Sequence, residues 1–406
     1  MTTTAVPILH APDAHLCPGT EASAEPLRVL HLGKYLPPPP AGVEAHIDTL
    51  LRHLPNYGVE PTLVAGDSPA APQHPPTTPY RTVLARNWGR LASAFITPGV
   101  VALAMRECRR HRCQLVHLHL PNPWADVIVH AMPPQLPIVA TWHSDIVRQR
   151  WALPLYRYVQ RATCARLRSL IVPTLAHQQG STQIPAHADV AVIPYGIETE
   201  PLDPRWADPA TTATLRQWAA GRPIILTVGR HVYYKGYAYL IDALHAMQTS
   251  AVLVMIGQGP LTAELQAQVR QRGLSDRVLF LGRAGHAQLV AAMHACQLFT
   301  LPSIEPAEAF GLASAEAMAC GKPTVVCDLG NGVNVLNRHG VTSIVVPPRD
   351  VRALAAALDT LASNPAQCER LGQAARRHIH ERFSAAAMAQ ATAQLYRRLL
   401  APATPA

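Results

Sequence analysis

Short apolar runs alternate with stretches of helical periodicity along almost all of this chain. A first series comprises Leu27-Arg-Val-Leu-His-Leu32, Pro61-Thr-Leu-Val-Ala65, Leu115-Val-His-Leu-His-Leu120, Ile138-Val-Ala-Thr-Trp142 and Val190-Ala-Val-Ile193. A second restarts at Ile224-Ile-Leu-Thr-Val228 and continues through Ala251-Val-Leu-Val-Met-Ile256, Val278-Leu-Phe-Leu281, Leu298-Phe-Thr-Leu301 and Thr324-Val-Val-Cys327. Runs this short and this apolar read as buried strands, and repeated strand–helix units build parallel sheets covered on both faces. Two series predict two Rossmann-like α/β domains, one over 26–200 and one over 201–384, which also suits a chain of 406 residues. Between them, Pro194-Tyr-Gly-Ile-Glu198 and a Pro- and Asp-containing stretch to about Ala220 read as a linker. A last helical region spans about Ser384 to Leu399, followed by a tail. Open parallel sheets bind ligands at the carboxyl ends of their strands, so the expected site is a cleft between two facing domains.

The sharpest candidate chemistry lies after the run ending at Leu301. Glu308-Ala-Phe-Gly-Leu-Ala-Ser-Ala-Glu316 places two carboxylates eight positions apart across a Phe-Gly turn. Leu312, Ala315, Met318 and Ala319 have helical spacing, so Glu308 falls on a strand-to-helix loop and Glu316 inside the helix. A helix N-terminus offers free N–H groups and a positive dipole end to a phosphate, while two carboxylates accept hydrogen bonds from a polyol. The combination suits a sugar joined to a phosphate. Taken alone, a Glu pair at this spacing is most often two solvated residues; the rest of the chain changes that balance.

The stretch resembles the E-x7-E motif of retaining glycosyltransferases of family 4, which have the GT-B fold, and the resemblance covers about Leu27 to Arg398. It implies an α/β GT-B architecture of two Rossmann-like domains facing an interdomain cleft, with the helix over 385–406 crossing back to the N-terminal domain. Val228-Gly-Arg-His-Val-Tyr-Tyr-Lys-Gly236 is similar to the family's Gly-Arg…Lys-Gly segment, which implies that Arg230 and Lys235 contact the donor diphosphate. Fixed cations there suit the chemistry, because breaking the sugar–phosphate bond builds negative charge on the leaving group. The same resemblance puts Glu308 on hydroxyls of the transferred sugar, the N–H groups of Phe310, Gly311 and Leu312 near sugar and phosphate, and Glu316 on the ribose. Gly257-Gln-Gly-Pro260 resembles the Gly-x-Gly-Pro loop near the nucleotide, bringing in Gly257 and Gly259, and Arg283 matches a base-contacting position loosely. In the first domain, Gly33-Lys-Tyr-Leu followed by four prolines and Ala41-Gly42-Val-Glu44 resembles the family's Gly-Gly-x-Glu loop. Ala41 stands where the first glycine is usual, and Ala resists positive φ, so the loop departs from the pattern while Gly42 keeps its place. Thr141-Trp-His-Ser-Asp145 resembles the His-bearing loop beside the anomeric carbon, with His143 toward the donor sugar and Asp145 orienting the loop.

Composition narrows the reading further. Hydrophobic residues make up 49% and mean hydropathy is +0.06, which describes a globular chain, and no run approaches the roughly 18 residues a bilayer demands. The first 25 residues have neither a basic start nor an apolar block and read as a disordered leader. Eight cysteines show no Cys-x-x-Cys or zinc spacing and read as reduced, mostly buried thiols of a cytoplasmic protein. His117 and His119 point the same way from one strand and with His46 and His143 suggest a metal cluster superficially. No metal-binding spacing along the chain supports one, so no metal and no cofactor are expected. No Asp-x-Asp triplet occurs either, so the donor charge is assigned to Arg230, Lys235 and helix dipoles.

Positions 81 to 170 hold thirteen Arg against Glu107, Asp126 and Asp145, more than the whole-chain net charge of +9 requires. Interleaved with Trp88, Phe95, Trp151 and Tyr158, this stretch suits docking on anionic lipid at the inner face of the cell membrane, or on a phosphorylated acceptor. The bland alternative is a set of solvated helix faces, and nucleic acid is disfavoured because no binding module is present. The expected activity is metal-independent, retaining transfer of a hexosyl unit, mannosyl being the favoured case. It runs from a nucleoside-diphosphate sugar to a glycan or lipid-linked acceptor. In loop style the chain is similar to mannosyl- or rhamnosyl-type members of bacterial surface-polysaccharide pathways, including lipopolysaccharide biosynthesis. The rivals are a sugar-nucleotide epimerase of the same fold and a catalytically silent glycan- or nucleotide-binding subunit.

Overall fold

The computed structural model describes residues 25–35, 42–67, 78–91, 94–145 and 153–401. The expected leader up to residue 24 and the segment from Leu36 to Ala41 lie outside the described residues, as do Arg148, Arg150 and Trp151. Two compact units divide the chain: one takes the residues up to Gly196 together with those from Ala385, the other runs from Ile197 to Ser384.

In the first unit the order is β1 (Leu27–Tyr35), α1 (Gly42–His53), β2 (Val59–Gly66), β3 (Arg81–Ala85), a small hairpin of β4 (Arg90–Leu91) and β5 (Ala94–Phe95), and α2 (Gly99–Arg110). It continues through β6 (Leu115–Leu120), α3 (Pro123–Ala131), β7 (Ile138–Trp142), α4 (Leu153–Arg166), β8 (Ser169–Val172), α5 (Leu175–Gly180) and β9 (Val190–Val192). Seven strands form one parallel sheet in the order β3-β2-β1-β6-β7-β8-β9. Successive side chains of a strand point to opposite faces. Val29 accordingly joins the core beneath α1, while Leu30 and Leu32 join the one beneath α2 and α3.

The second unit begins with α6 (Pro209–Ala219) and β10 (Ile224–Val228), then α7 (Tyr237–Ala246), β11 (Val252–Ile256), α8 (Thr262–Gln271), β12 (Val278–Gly282), α9 (His286–Ala295) and β13 (Leu298–Leu301). It ends with α10 (Leu312–Ala319), β14 (Thr324–Cys327), α11 (Gly332–Leu336), β15 (Ser343–Val346), α12 (Val351–Ala362) and α13 (Pro365–Arg382). Its six strands are parallel in the order β12-β11-β10-β13-β14-β15, with Ile224 opposite Val252 and Ile225 opposite Leu298. Alternation again splits the core, Leu253 and Met255 on one face and Val252 and Val254 on the other. The sheet order reverses between β10 and β13, which is where doubly wound sheets leave room for a ligand at the carboxyl ends.

Two expectations need correction. The stretch toward Ala220 is part of the second unit and not a free linker. The Asp208 carboxylate accepts from the Thr211 N–H at 3.0 Å, and Leu215 and Ala219 enter the core with Ile224 and Leu226. Its Asp-Pro signal is a helix start, with the carboxylate as N-cap and Pro209 at the first helical position. The apolar runs also omit β3, β8 and β15. Of these, β3 and β15 are sheet edges with half-exposed residues, and β8 has only three apolar residues in sequence. The last helix, α14 (Ala385–Leu400), belongs to the first unit, where Met388, Ala389, Leu395 and Tyr396 pack with Ile47 and Leu50 of α1 and with Leu54 just after it. No helix among the described residues is long and apolar enough to cross a membrane.

Candidate functional site

In the second unit the predicted residues gather at the carboxyl ends of the strands. Arg230 and Lys235 follow β10, Gly257 and Gly259 follow β11, Arg283 follows β12, and Glu308 lies between β13 and α10. Lys235 Nζ and Glu308 Oε2 form an ion pair, each side chain only 12% exposed, across the point where the sheet order reverses. Ser303 Oγ donates to the same carboxylate oxygen at 3.1 Å, and Asn331 Nδ2 donates to the Glu308 carbonyl at 2.8 Å. Asn331 also caps α11 by accepting from the Val333 N–H at 3.0 Å, so one side chain ties the Glu308 loop to the start of the next helix. Neither Ser303 nor Asn331 was legible as a site residue, because nothing in their local spacing distinguishes them from ordinary loop polar groups.

Arg230 is exposed and has no ion-pair partner among the described residues. Arg283 is exposed as well. The Gly257 and Gly259 positions answer to packing: a Cβ on Gly257 would stand 2.0 Å from the Gly229 carbonyl oxygen, and one on Gly259 2.3 Å from that of His231. The loops after β10 and β11 therefore touch backbone to backbone, with the His231 N–H donating to the Gln258 carbonyl at 3.3 Å. Gly311 caps α10 at φ +77°, a left-handed conformation that a side chain resists, and Phe310 before it is buried. Leu312 opens α10, whose first N–H groups have no intrahelical acceptor and point out of its N-terminus. Glu316, half-buried one turn further, has its carboxyl pushed up to about 7 by burial. The arrangement joins a cation, a carboxylate and a helix N-terminus at one end of the sheet, a set that can hold a phosphate beside a polyol.

In the first unit Gly42 opens α1, and His143 follows β7 directly, at the end of the strand to which the sequence assigns it. Its ring is 5% exposed; Nδ1 meets the Tyr195 hydroxyl at 2.9 Å and Nε2 meets His119 Nδ1 at 3.2 Å. His119 Nε2 in turn meets His31 Nδ1 at 3.4 Å. His117 joins the Tyr396 hydroxyl at 2.5 Å and Thr141 Oγ1 at 2.8 Å. Five buried histidines, with His46 as the fifth, thus collect at the middle of the sheet. Burial lowers the pKa of each, His31 and His46 to about 3 and the other three well below the ordinary histidine value, so all are neutral at pH 7. Asp145 anchors its loop by accepting from Trp142 Nε1 at 3.0 Å, Ser181 Oγ at 2.6 Å and the Thr182 N–H at 3.0 Å.

Part of the arginine-rich stretch is structural. Burial raises the pKa of the fully buried Glu107, but hydrogen bonds from Arg81 and Arg106 outweigh it and hold the carboxyl below its ordinary value. Arg166 donates to the carbonyls of Pro133 and Leu136. Exposed are Arg86, Arg109, Arg110, Arg112, Arg161 and Arg168, together with Trp88 and Tyr158 at 72% and 73%.

Comparison with known proteins gives concordant results for the two halves. Residues 40–201 match the family model described as Glycosyltransferase Family 4, and residues 215–378 that described as Glycosyl transferases group 1. The chain is similar to O-antigen chain mannosyltransferase C of Escherichia coli, at 31% identity over 287 residues, 70% of this chain and 76% of that protein. It is equally similar to the D-rhamnosyltransferase WbpZ of Pseudomonas aeruginosa, at 31% over 365 residues, 88% of this chain and 93% of the relative. Among solved structures, sucrose-phosphate synthase from Thermosynechococcus elongatus superposes with TM-score 0.74 at 22% identity, covering 92% of this chain and 98% of the other. Anabaena HepE in complex with UDP gives 0.72 at 21%, covering 91% and 100%. These neighbours share the GT-B fold.

Proposed function

The chain belongs to glycosyltransferase family 4, and from that premise we propose that it retains anomeric configuration while moving a hexosyl unit, mannosyl in the favoured case, from a nucleoside-diphosphate sugar to a glycan or lipid-linked acceptor. The observation that carries this reading is the Lys235–Glu308 pair at the carboxyl ends of β10 and β13. A cation and a carboxylate held together there match the two ends of the bond that breaks, phosphate on one side and sugar hydroxyls on the other.

The roles follow residue by residue. Lys235 and Arg230 take up the charge that develops on the leaving diphosphate, assisted by the N–H groups at the start of α10, and a group placed there lowers the barrier more than it tightens binding. Glu308, steadied by Ser303 and Asn331, accepts hydrogen bonds from the sugar. Glu316 accepts from the ribose, Arg283 serves the base, and His143 is assigned to the donor sugar. The leaving phosphate oxygen helps to deprotonate the acceptor hydroxyl on the same face, so no protein nucleophile is required. Acceptor binding is assigned to the first unit, and no divalent ion is needed on the diphosphate because protein groups meet its charge. The mannosyl and rhamnosyl activities of the two relatives and the UDP bound in Anabaena HepE support a hexosyl donor of this type. The enzyme would act in the cytoplasm, at the inner face of the cell membrane where a lipid-linked acceptor is presented.

Screening nucleotide sugars for slow hydrolysis, without acceptor and in buffer free of magnesium and manganese, tests the reading. One donor hydrolysed well above the others is the expected result. Hydrolysis of none, or strict dependence on an added divalent ion, overturns the assignment of the diphosphate to Arg230 and Lys235.

A further inference from the structure

We propose that His46, His119 and His143 form a binding site for one divalent transition-metal ion of the zinc class. The three imidazoles come from α1, from β6 and from the turn after β7, and their ligand nitrogens lie within 4.8 Å of one another. His119 Nδ1 and His143 Nε2 stand 3.2 Å apart. Two nitrogens each about 2.0–2.1 Å from a tetrahedral zinc are separated by roughly 3.4 Å, so this pair already has the spacing the ion requires.

His46 supplies the second, independent observation. Its ring is 8% exposed, yet neither ring nitrogen has a hydrogen-bond partner among the described residues. A buried N–H or lone pair left without a partner costs about 1–3 kcal/mol, and a metal bond would satisfy it. The other two ligands carry the outer partners that metal-binding histidines use to fix tautomer and orientation. His143 keeps Nδ1 on the Tyr195 hydroxyl at 2.9 Å, and His119 keeps Nε2 on His31 at 3.4 Å, which leaves one nitrogen of each ring aimed at the common point. His117 cannot serve as a ligand in the same way, since Tyr396 and Thr141 occupy both its nitrogens.

Three neutral imidazoles suit zinc, cobalt, nickel or copper and not magnesium, so this site is chemically separate from any ion on a donor diphosphate, and an ion held there engages the ring nitrogen of His143 that Tyr195 leaves over, which excludes the donor-sugar hydrogen bond assigned to that ring. The spacing along the chain conceals the site, because the ligands stand at 46, 119 and 143 and meet only through the sheet.

The test is a titration of metal-stripped, tag-free full-length protein with cobalt(II), followed by its tetrahedral d–d absorption and by metal analysis. The expected result is one ion per chain, displaced by zinc and not by magnesium, with a higher Tm when loaded. His46→Gln should weaken binding at least tenfold, and Tyr195→Phe by about tenfold through loss of the outer partner, while His245→Gln on the surface changes nothing. If His46→Gln fails to fold, the Tyr195→Phe affinity decides the matter. Absence of saturable one-to-one binding, or equal affinity in wild type and the variants at 46 and 195, overturns the proposal.

Discussion

Arg230 is exposed on the loop after β10 and belongs to none of the hydrophobic cores, so its removal separates catalysis from stability. Arg230→Ala should lower turnover about 100-fold, the scale of one lost transition-state contact, with Tm nearly unchanged. A steady-state assay beside a melting curve checks this, and near-normal turnover would contradict the role given to the guanidinium. Glu316 supports a pH prediction. Burial pushes its carboxyl from the ordinary 4.5 up to about 7, and only the ionised form accepts from two ribose hydroxyls. Donor affinity should therefore rise by about tenfold between pH 6 and pH 8, because each bound donor displaces a proton in that window. The diphosphate of a sugar nucleotide is a diester that does not titrate there. Calorimetry across the range should show the rise in wild type, and a flat profile in Glu316→Gln; an equally steep profile in the variant assigns the titration elsewhere. Both Glu residues were legible from the sequence, whereas Ser303, Asn331 and Tyr195 were not, because each acts on a group remote in the chain or in an unremarkable loop.

At the scale of elements, caps and periodicity account for most of the local structure. Asn122-Pro123, Asp208-Pro209 and Asn364-Pro365 each start a helix with a side-chain acceptor at the N-cap and proline at the first helical position. Such pairs are also turn signals, which is why the one at Asp208 reads as linker. The helix α14 shows what periodicity leaves open: its apolar face is plain in the sequence, but the partner that covers it is not. Leu395, 1% exposed, lies in one core with Ile47, Leu50 and Leu54. Leu395→Ala should destabilise the first unit by about 2–5 kcal/mol, the cost of a buried leucine replaced by a cavity. Urea unfolding followed by Trp fluorescence measures this. A loss below 1 kcal/mol would mean that α14 contributes little to that core.

For the whole molecule, the charge excess of the segment from 81 to 170 is smaller in effect than its composition indicates, since Arg81 and Arg106 face Glu107 and Arg166 binds carbonyls. Enough exposed arginines remain, beside Trp88 and Tyr158, for attraction to anionic headgroups at about 1 kcal/mol per well-placed residue. The Debye length falls from about 10 Å at 0.1 M salt to about 3 Å at 1 M, so binding to anionic vesicles should be strong at the lower concentration and largely lost at the higher. Co-sedimentation at both concentrations reads this out. Equal binding to neutral and anionic vesicles, or none to either, would mark the segment as solvated surface and favour a soluble acceptor.

Two parallel-sheet units, most of their strands, the paired glutamates and the cationic loop after β10 could all be read from the chain, because each is encoded within about ten residues of continuous pattern. A run of apolar residues buries itself wherever it is placed, and a helix start carries its own cap. The edge strands β3 and β15 escaped because an edge needs less apolar cover, and the linker was misjudged because a cap and a turn use the same residues. Only the folded molecule joins Lys235 to Glu308, ties Asn331 to the Glu308 loop, and brings His31, His46, His117, His119 and His143 together around Tyr195 and Tyr396. These contacts span tens to hundreds of residues, and their partners are chosen by strand order, which no local pattern encodes.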